Sequence, residues 1–139
     1  PKVGVRAVIV KNKKILLVKE KMDEKWSLPG GWADIGMSPS ESTINEVREE
    51  TGYEVRPNRI LGLIHYNRYQ TTPFPFDVYQ IFLECEIIGG TQSAGAETSE
   101  VDFFDICDLP DISHRRVTVN QILQMYKVAQ EKDRLPIFD

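Results

Sequence analysis

Residues 38–52, SPSESTINEVREETG, carry both ends of a helix in their letters. Ser38 suits an N-cap, Pro39 suits the first helical position, and Glu41 completes a capping box. Gly52 stands where a helix ends on a left-handed glycine. The spacing predicts a helix over residues 39–51. At about 100° per residue, Glu46, Glu49 and Glu50 share one face of it, with Ser40, Ile44, Val47 and Thr51 nearly opposite. Any fold adopted by this chain must bury one stripe of that helix and accommodate three carboxylates on the other.

The acidic face carries a cost. Glu46 and Glu50 form a like-charge i,i+4 pair worth roughly 0.2–0.5 kcal/mol of repulsion. Glu49 and Glu50 also sit at the C-terminal end, where the helix dipole disfavours anions. Two readings stand side by side: a solvated face relieved by Arg48, or a face neutralised by divalent cations. Hard oxygen ligands at i, i+3 and i+4 suit magnesium or manganese. The stretch just upstream is WSLPGGW, residues 26–32, a short strand ending in a Pro-Gly-Gly break. Glycines there let the backbone turn or approach a ligand closely. A break followed by a capped acidic helix builds a small polar cavity. No Walker-type or GxGxxG loop precedes a helix, so phosphate would be gripped by metal and side chains.

The remaining pattern is that of an α/β chain. Residues 3–10 read as a strand, 11–14 as a polar turn and 15–18 as a second strand, so 3–19 is expected to form a hairpin. Its apolar runs are too continuous for a sheet with one wet face, which predicts helices on both sides. Tyr53–Val55, Ile60–Ile64, Phe76–Ile88 and Val101–Phe104 are further strand candidates. The segment HYNRYQTTPFPF, residues 65–76, reads as a loop, and residues 89–100 as a flexible polar loop. Residues 114–130 read as a terminal helix with Ile122, Met125, Tyr126 and Ala129 on one stripe. The tail RLPIFD either packs locally or meets a partner subunit.

Length and charge narrow the function. At 139 residues, two cores would leave each half too small, so 1–139 is expected to be one domain. With 17 basic and 21 acidic residues the net charge is -4, which argues against binding a nucleic acid polymer. A nucleotide remains admissible, because a metal can neutralise its phosphates. Cys85 and Cys107 have no CxxC spacing and only His65 and His114 accompany them, so a structural zinc site is not expected. Cysteine usage fits a reducing, cytoplasmic setting. No run approaches the roughly 20 apolar residues of a membrane span. The chain begins at Pro1 without a Met, which leaves room for an upstream segment.

At this point the chain resembles the Nudix hydrolases. The family signature is a glycine, five residues, a glutamate, seven residues, then Arg-Glu-apolar-x-Glu-Glu-x-Gly-apolar. Here it spans Gly31–Tyr53, with the core Asn45-Glu46-Val47-Arg48-Glu49-Glu50-Thr51-Gly52-Tyr53. Two positions depart from it: Met37 replaces the first glutamate and Asn45 replaces the arginine. Met37 is a poor ligand for a hard cation, and Asn45 hydrogen-bonds but forms no ion pair. A narrower likeness, carried by WSLPGGWADIGMSPSE and the later FFDICDLP, is to a bacterial Nudix group linked to ADP-ribose and CDP-choline hydrolysis. Members often carry a small helical segment upstream, absent from this chain.

The resemblance implies an α/β/α sandwich with a mixed β-sheet flanked by helices. It implies hydrolysis of a pyrophosphate linkage in a small nucleotide substrate, with Mg²⁺ or Mn²⁺ held by Glu46, Glu49 and Glu50 and backbone oxygen from Gly30 or Gly31. Glu97, in the loop before Val101, is the candidate general base; Glu49 or Glu50 are alternatives. Arg6 interrupts an apolar strand and needs either a partner at the sheet edge or an outlet onto substrate phosphate. Arg68 is a weaker candidate for the same work. Tyr69 and Phe74, with Tyr66 and Phe76, are candidates to stack on a base. Trp26 is expected in the core and Trp32 at the cleft or bracing the turn. A homodimer is implied by the family alone. The competing functions are a nucleoside triphosphate pyrophosphatase, a non-catalytic nucleotide sensor and a plain domain with an acidic surface.

Overall fold

The computed structural model describes residues 1–139. The chain opens with β1 (Lys2–Val8), β2 (Val10–Lys11) and β3 (Lys14–Glu20). Asn12 and Lys13 both take positive φ, 51° and 65°, and close a tight turn between β2 and β3. The expected hairpin is therefore short. Only Val10 and Lys11 pair with β3, and the first seven-residue strand goes elsewhere. β1 runs antiparallel to β5 (Gly30–Trp32) and parallel to β7 (Val78–Gly90). Its apolar residues point to both faces, and only a central position in a sheet buries both.

Two sheets result. One has the order β5-β1-β7-β6-β9, with β6 at Tyr53–His65 and β9 at Ile137–Phe138. The other joins β2, β3 and β4 (Trp26–Ser27), with β8 (Thr98–Asp105) on the free edge of β3. β6 unites the two strand candidates at 53–55 and 60–64. It passes Pro57 and Gly62 by shifting register rather than ending, as strands do at bulges. The tail packs locally, since β9 pairs with Gly62 and Leu63 of β6.

Helix α1 (Pro39–Thr51) has the bounds its letters predict. Ser38 accepts from the Glu41 amide, Glu41 answers the Ser38 amide, and Gly52 takes φ 79°; a cap of this kind contributes about 1 kcal/mol. Helix α2 (Val119–Gln130) starts later than expected, because Thr118 with Gln121 forms its own capping box and residues 114–116 are turn.

The two helices cover opposite sides, as the continuous apolar runs require. Ala7, Ile9 and Leu16 join Val47 of α1, whereas Val8, Ile15 and Leu17 join Ile122 and Met125 of α2. Successive residues of one strand thus feed two cores. No helix is long and apolar enough to cross a membrane.

Candidate active site

Three backbone features bring the acidic helix to the Pro-Gly-Gly break. β5 pairs Gly30 with Arg6 and Gly31 with Val5. A β-carbon on Gly30 would lie 2.0 Å from the Val5 carbonyl oxygen, so only glycine lets β5 come this close. The Gly30 amide then donates to Oε1 of Glu50 at 3.1 Å, and the missing β-carbon of Gly31 leaves room for the Glu46 carboxylate, which would otherwise meet it at 2.9 Å.

The acidic face is divided as a consequence. Glu50 is buried, Glu46 half-buried and Glu49 exposed. The buried side of α1 is Ser42, Thr43, Val47, Glu50 and Thr51; Ser40, expected there, faces solvent. Burial and the neighbouring Glu49 charge raise the Glu46 carboxyl to about 7. Burial also raises Glu50 well above the usual carboxylate range, against the pull of Arg6. Two carboxylates held so reluctantly are what a hard divalent cation would relieve. No three His, Cys, Asp or Glu side chains converge into a closed ligand cluster. The fit to a cation therefore rests on the oxygen donors, their strained ionisation and the space at Gly31.

Glu50 opens onto a cleft of about 240 Å³. Its polar wall holds Arg6, Glu20, Glu97, Arg115 and Arg116; its apolar wall holds Trp32, Tyr66, Phe74 and Val78. Arg6 donates to the Leu28 carbonyl at 2.9 Å, while its Nε is sealed from solvent without a partner. Burial lowers its basicity and the charges of Glu50 and Glu20 oppose that. The guanidinium faces the cleft rather than the sheet edge.

Arg116 is anchored by Asp23 at 3.1 Å and Glu20 at 3.5 Å, and Ser113 donates to the same Asp23 at 2.6 Å. Burial pushes the Glu20 carboxyl up, and Arg116 pulls it back. Glu20, Arg116 and Gln80 are cleft residues that the sequence reading misses. The only signal for Glu20 is a glutamate closing a strand whose centre, Ile15–Val18, is apolar, and no local pattern marks the other two.

The loop at 91–97 is firmly seated. Ser93 donates to the Thr51 carbonyl, Thr91 to that of Gly52, and Thr98 Oγ1 to that of Glu50. It thus satisfies the carbonyls left open at the end of α1, and a β-carbon on Gly95 would strike the Glu49 carbonyl at 1.9 Å. This seating carries Glu97 to the cleft.

Other candidates fall elsewhere. Phe74 stacks on Tyr66 and meets Trp32 at 5.7 Å, inside the cleft. Arg68 and Tyr69 are exposed and do not line it; the Tyr69 hydroxyl donates to Asp139 at 2.5 Å. Trp26 packs on the core edge-on to Phe104. Cys85 is a buried thiol pushed up to about 12 by burial.

A family model described as NUDIX domain matches residues 1–125. The chain is 38% identical over 139 residues to YjhB of Bacillus subtilis (strain 168), assigned as an ADP-ribose pyrophosphatase, covering 100% of this chain and 67% of that one. A crystal structure of an ADP-ribose pyrophosphatase from Streptococcus suis superposes with a TM-score of 0.91 at 32% identity, covering 100% and 99% of the two chains. A UDP-X diphosphatase structure gives a TM-score of 0.92 at 33% identity, covering 100% of this chain and 67% of that one.

Proposed function

The chain belongs to the Nudix family, and on that premise we propose that it hydrolyses the pyrophosphate bond of ADP-ribose, with CDP-choline as the next candidate among nucleoside diphosphates linked to a second moiety. The observation that carries this is the position of Glu46 and Glu50 against Gly30 and Gly31, at the mouth of a cleft that also presents Arg6 and Arg116. Carboxylates able to hold a cation and guanidinium groups able to meet phosphate oxygens, gathered on one cleft, support this reading. The relatives that act on ADP-ribose and on UDP-linked substrates support the same substrate class.

Glu46, Glu49 and Glu50 would hold Mg²⁺ or Mn²⁺, with backbone oxygen from Gly30 or Gly31. When bound, such a cation neutralises phosphate oxygens and makes water a stronger nucleophile at neutral pH. Arg6 and Arg116 orient the diphosphate by charge-assisted hydrogen bonds. Glu97 accepts the proton of the attacking water. A new P–O bond forms on one phosphorus as the bridging P–O bond breaks, so ADP-ribose and water give AMP and ribose 5-phosphate. The Asp23–Arg116–Glu20 cluster keeps Arg116 from swinging into solvent.

A screen of nucleoside diphosphate derivatives and nucleoside triphosphates, each with Mg²⁺ and Mn²⁺ and with product analysis, tests this. Release of AMP from ADP-ribose supports it. Cleavage of triphosphates in preference, or tight binding of ADP-ribose with no product, overturns it.

A further inference from the structure

The sheet places three residues of the cleft in one row. Gly4 of β1 is in register with Trp32 of β5 on one side and with Gln80 of β7 on the other. All three therefore project to the same face, and the middle one has no side chain. With strands about 4.8 Å apart, Trp32 and Gln80 stand roughly 10 Å from each other across an open glycine floor. A β-carbon on Gly4 would meet only ordinary contacts, 3.7 Å to the Gly31 carbonyl and 4.0 Å to the Trp32 ring. The glycine is thus not required by the packing of the strands, and what it leaves is space within the cleft.

Both walls of that space are unfinished. The indole of Trp32 is 37% exposed although Lys2 lies 4.3 Å above its ring and Phe74 and Phe76 lean against it. The Gln80 side chain is only 4% exposed; its Nε2 donates to the Arg116 carbonyl at 3.3 Å, which turns Oε1 away as an acceptor with no partner. A buried amide oxygen left unpaired is costly. The next row along the strands is Gly30–Arg6–Phe82. It lies about 7 Å away, a distance suited to the ribose that separates a nucleotide's phosphate from its base.

Resting on the function proposed above, we propose that Trp32, Gly4 and Gln80 form the nucleobase slot of the substrate site. A planar nitrogen heterocycle stands on Gly4, stacks on Trp32 and presents an N–H donor on its edge to Oε1 of Gln80. Gln80 is then a specificity-determining residue, and Gly4 is a glycine because the slot needs its floor clear.

Calorimetric titration with AMP and with ribose 5-phosphate, in Mg²⁺, tests the slot without depending on turnover. AMP is expected to bind the wild-type protein more tightly than ribose 5-phosphate. Gly4→Val is expected to abolish that advantage, and Gln80→Met to weaken AMP by about tenfold, with neither changing ribose 5-phosphate binding. Gln80→Met removes an unpaired acceptor and keeps the side-chain length, so it reports on the slot even if Gly4→Val folds poorly. Equal binding of the two probes by the wild type, or AMP binding unchanged in Gln80→Met, overturns the proposal. If AMP follows the expected pattern while ADP-ribose is not hydrolysed, the slot stands and the hydrolytic function falls. If ADP-ribose is hydrolysed with the same KM as an analogue lacking the base, the function stands and the slot falls.

Discussion

Nδ2 of Asn45 donates to the sulfur of Met37 at 3.6 Å, so the two positions at which the chain departs from the family signature touch each other. Oδ1 of Asn45 in turn accepts from Arg48, which grips Glu54 through two bonds of 2.5 and 2.8 Å. The loop before α1 is thus tied to the helix by a neutral pair. Met37→Glu offers the Asn45 amide donor a carboxylate in place of a weakly accepting sulfur, whereas Asn45→Arg sets a guanidinium against a thioether and against Arg48. Asn45→Arg alone is expected to lose stability, and addition of Met37→Glu to recover it, with a coupling of about 0.5 kcal/mol or more in a double-mutant cycle of chemical denaturation. Additive effects would show that the two departures are independent.

Gly30 and Gly31 are adjacent, yet alanine should do different things at each. At Gly30 the added carbon strikes backbone, the Val5 carbonyl at 2.0 Å, and β5 cannot stay paired with β1. At Gly31 it strikes the carboxylate end of Glu46 at 2.9 Å, a flexible side chain that can move. Gly30→Ala is expected to destabilise by about 3 kcal/mol or more. Gly31→Ala is expected to melt near the wild type and to lose about 10²-fold in turnover, because it displaces a carboxylate of the proposed metal set rather than a strand. Thermal melts followed by circular dichroism, alongside kcat with ADP-ribose, separate the two.

The difference between these glycines also marks what the sequence shows and what it hides. α1 is legible to the residue, because Ser38, Glu41 and Gly52 are local signals that the backbone reads directly. Coverage of both sheet faces is legible too, from the unbroken apolar runs of β1 and β3. The partner of β1 is not legible, since its strongest pairing is with β7, more than seventy residues away. Nor is the division of the acidic face: a helical wheel cannot say that Glu50 turns inward to an amide of Gly30 while Glu49 stays in solvent. Gln80 and Arg116 are hidden for the same reason. Their meaning comes from neighbours supplied by other strands and loops.

Glu46 gives the metal-free protein an unusual pH dependence. Its carboxyl titrates near 7 in the fold and near 4.5 when unfolded, because burial and Glu49 disfavour its charge. Between those values the folded state binds more protons than the unfolded state, so stability falls as pH rises. This contribution is fully present below about pH 4.5 and is lost as pH climbs through about 7. Glu50 and Glu20 are shifted in the same direction. Denaturation midpoints in chelator are expected to fall across this window, and excess Mg²⁺ to flatten the decline by favouring the ionised carboxylates. A metal-free curve that rises with pH in Glu46→Gln's absence and is unaltered by that substitution would contradict the assignment.

Glu50→Gln separates chemistry from folding most cleanly. The amide oxygen of glutamine can still accept from the Gly30 amide, so β5 and α1 remain joined at the point where Glu50 now joins them at 3.1 Å. The variant also removes a carboxylate whose burial opposes its charge. Stability in chelator at pH 8 is therefore expected to be equal to or above that of the wild type. Turnover of ADP-ribose should nevertheless fall by about 10²-fold or more, since a neutral amide oxygen holds a hard divalent cation far more weakly than a carboxylate does. The added Mg²⁺ should raise the melting temperature less than it does for the wild type. A variant that keeps its rate would remove Glu50 from the metal set, and one that loses its fold would make Glu50 a structural residue first.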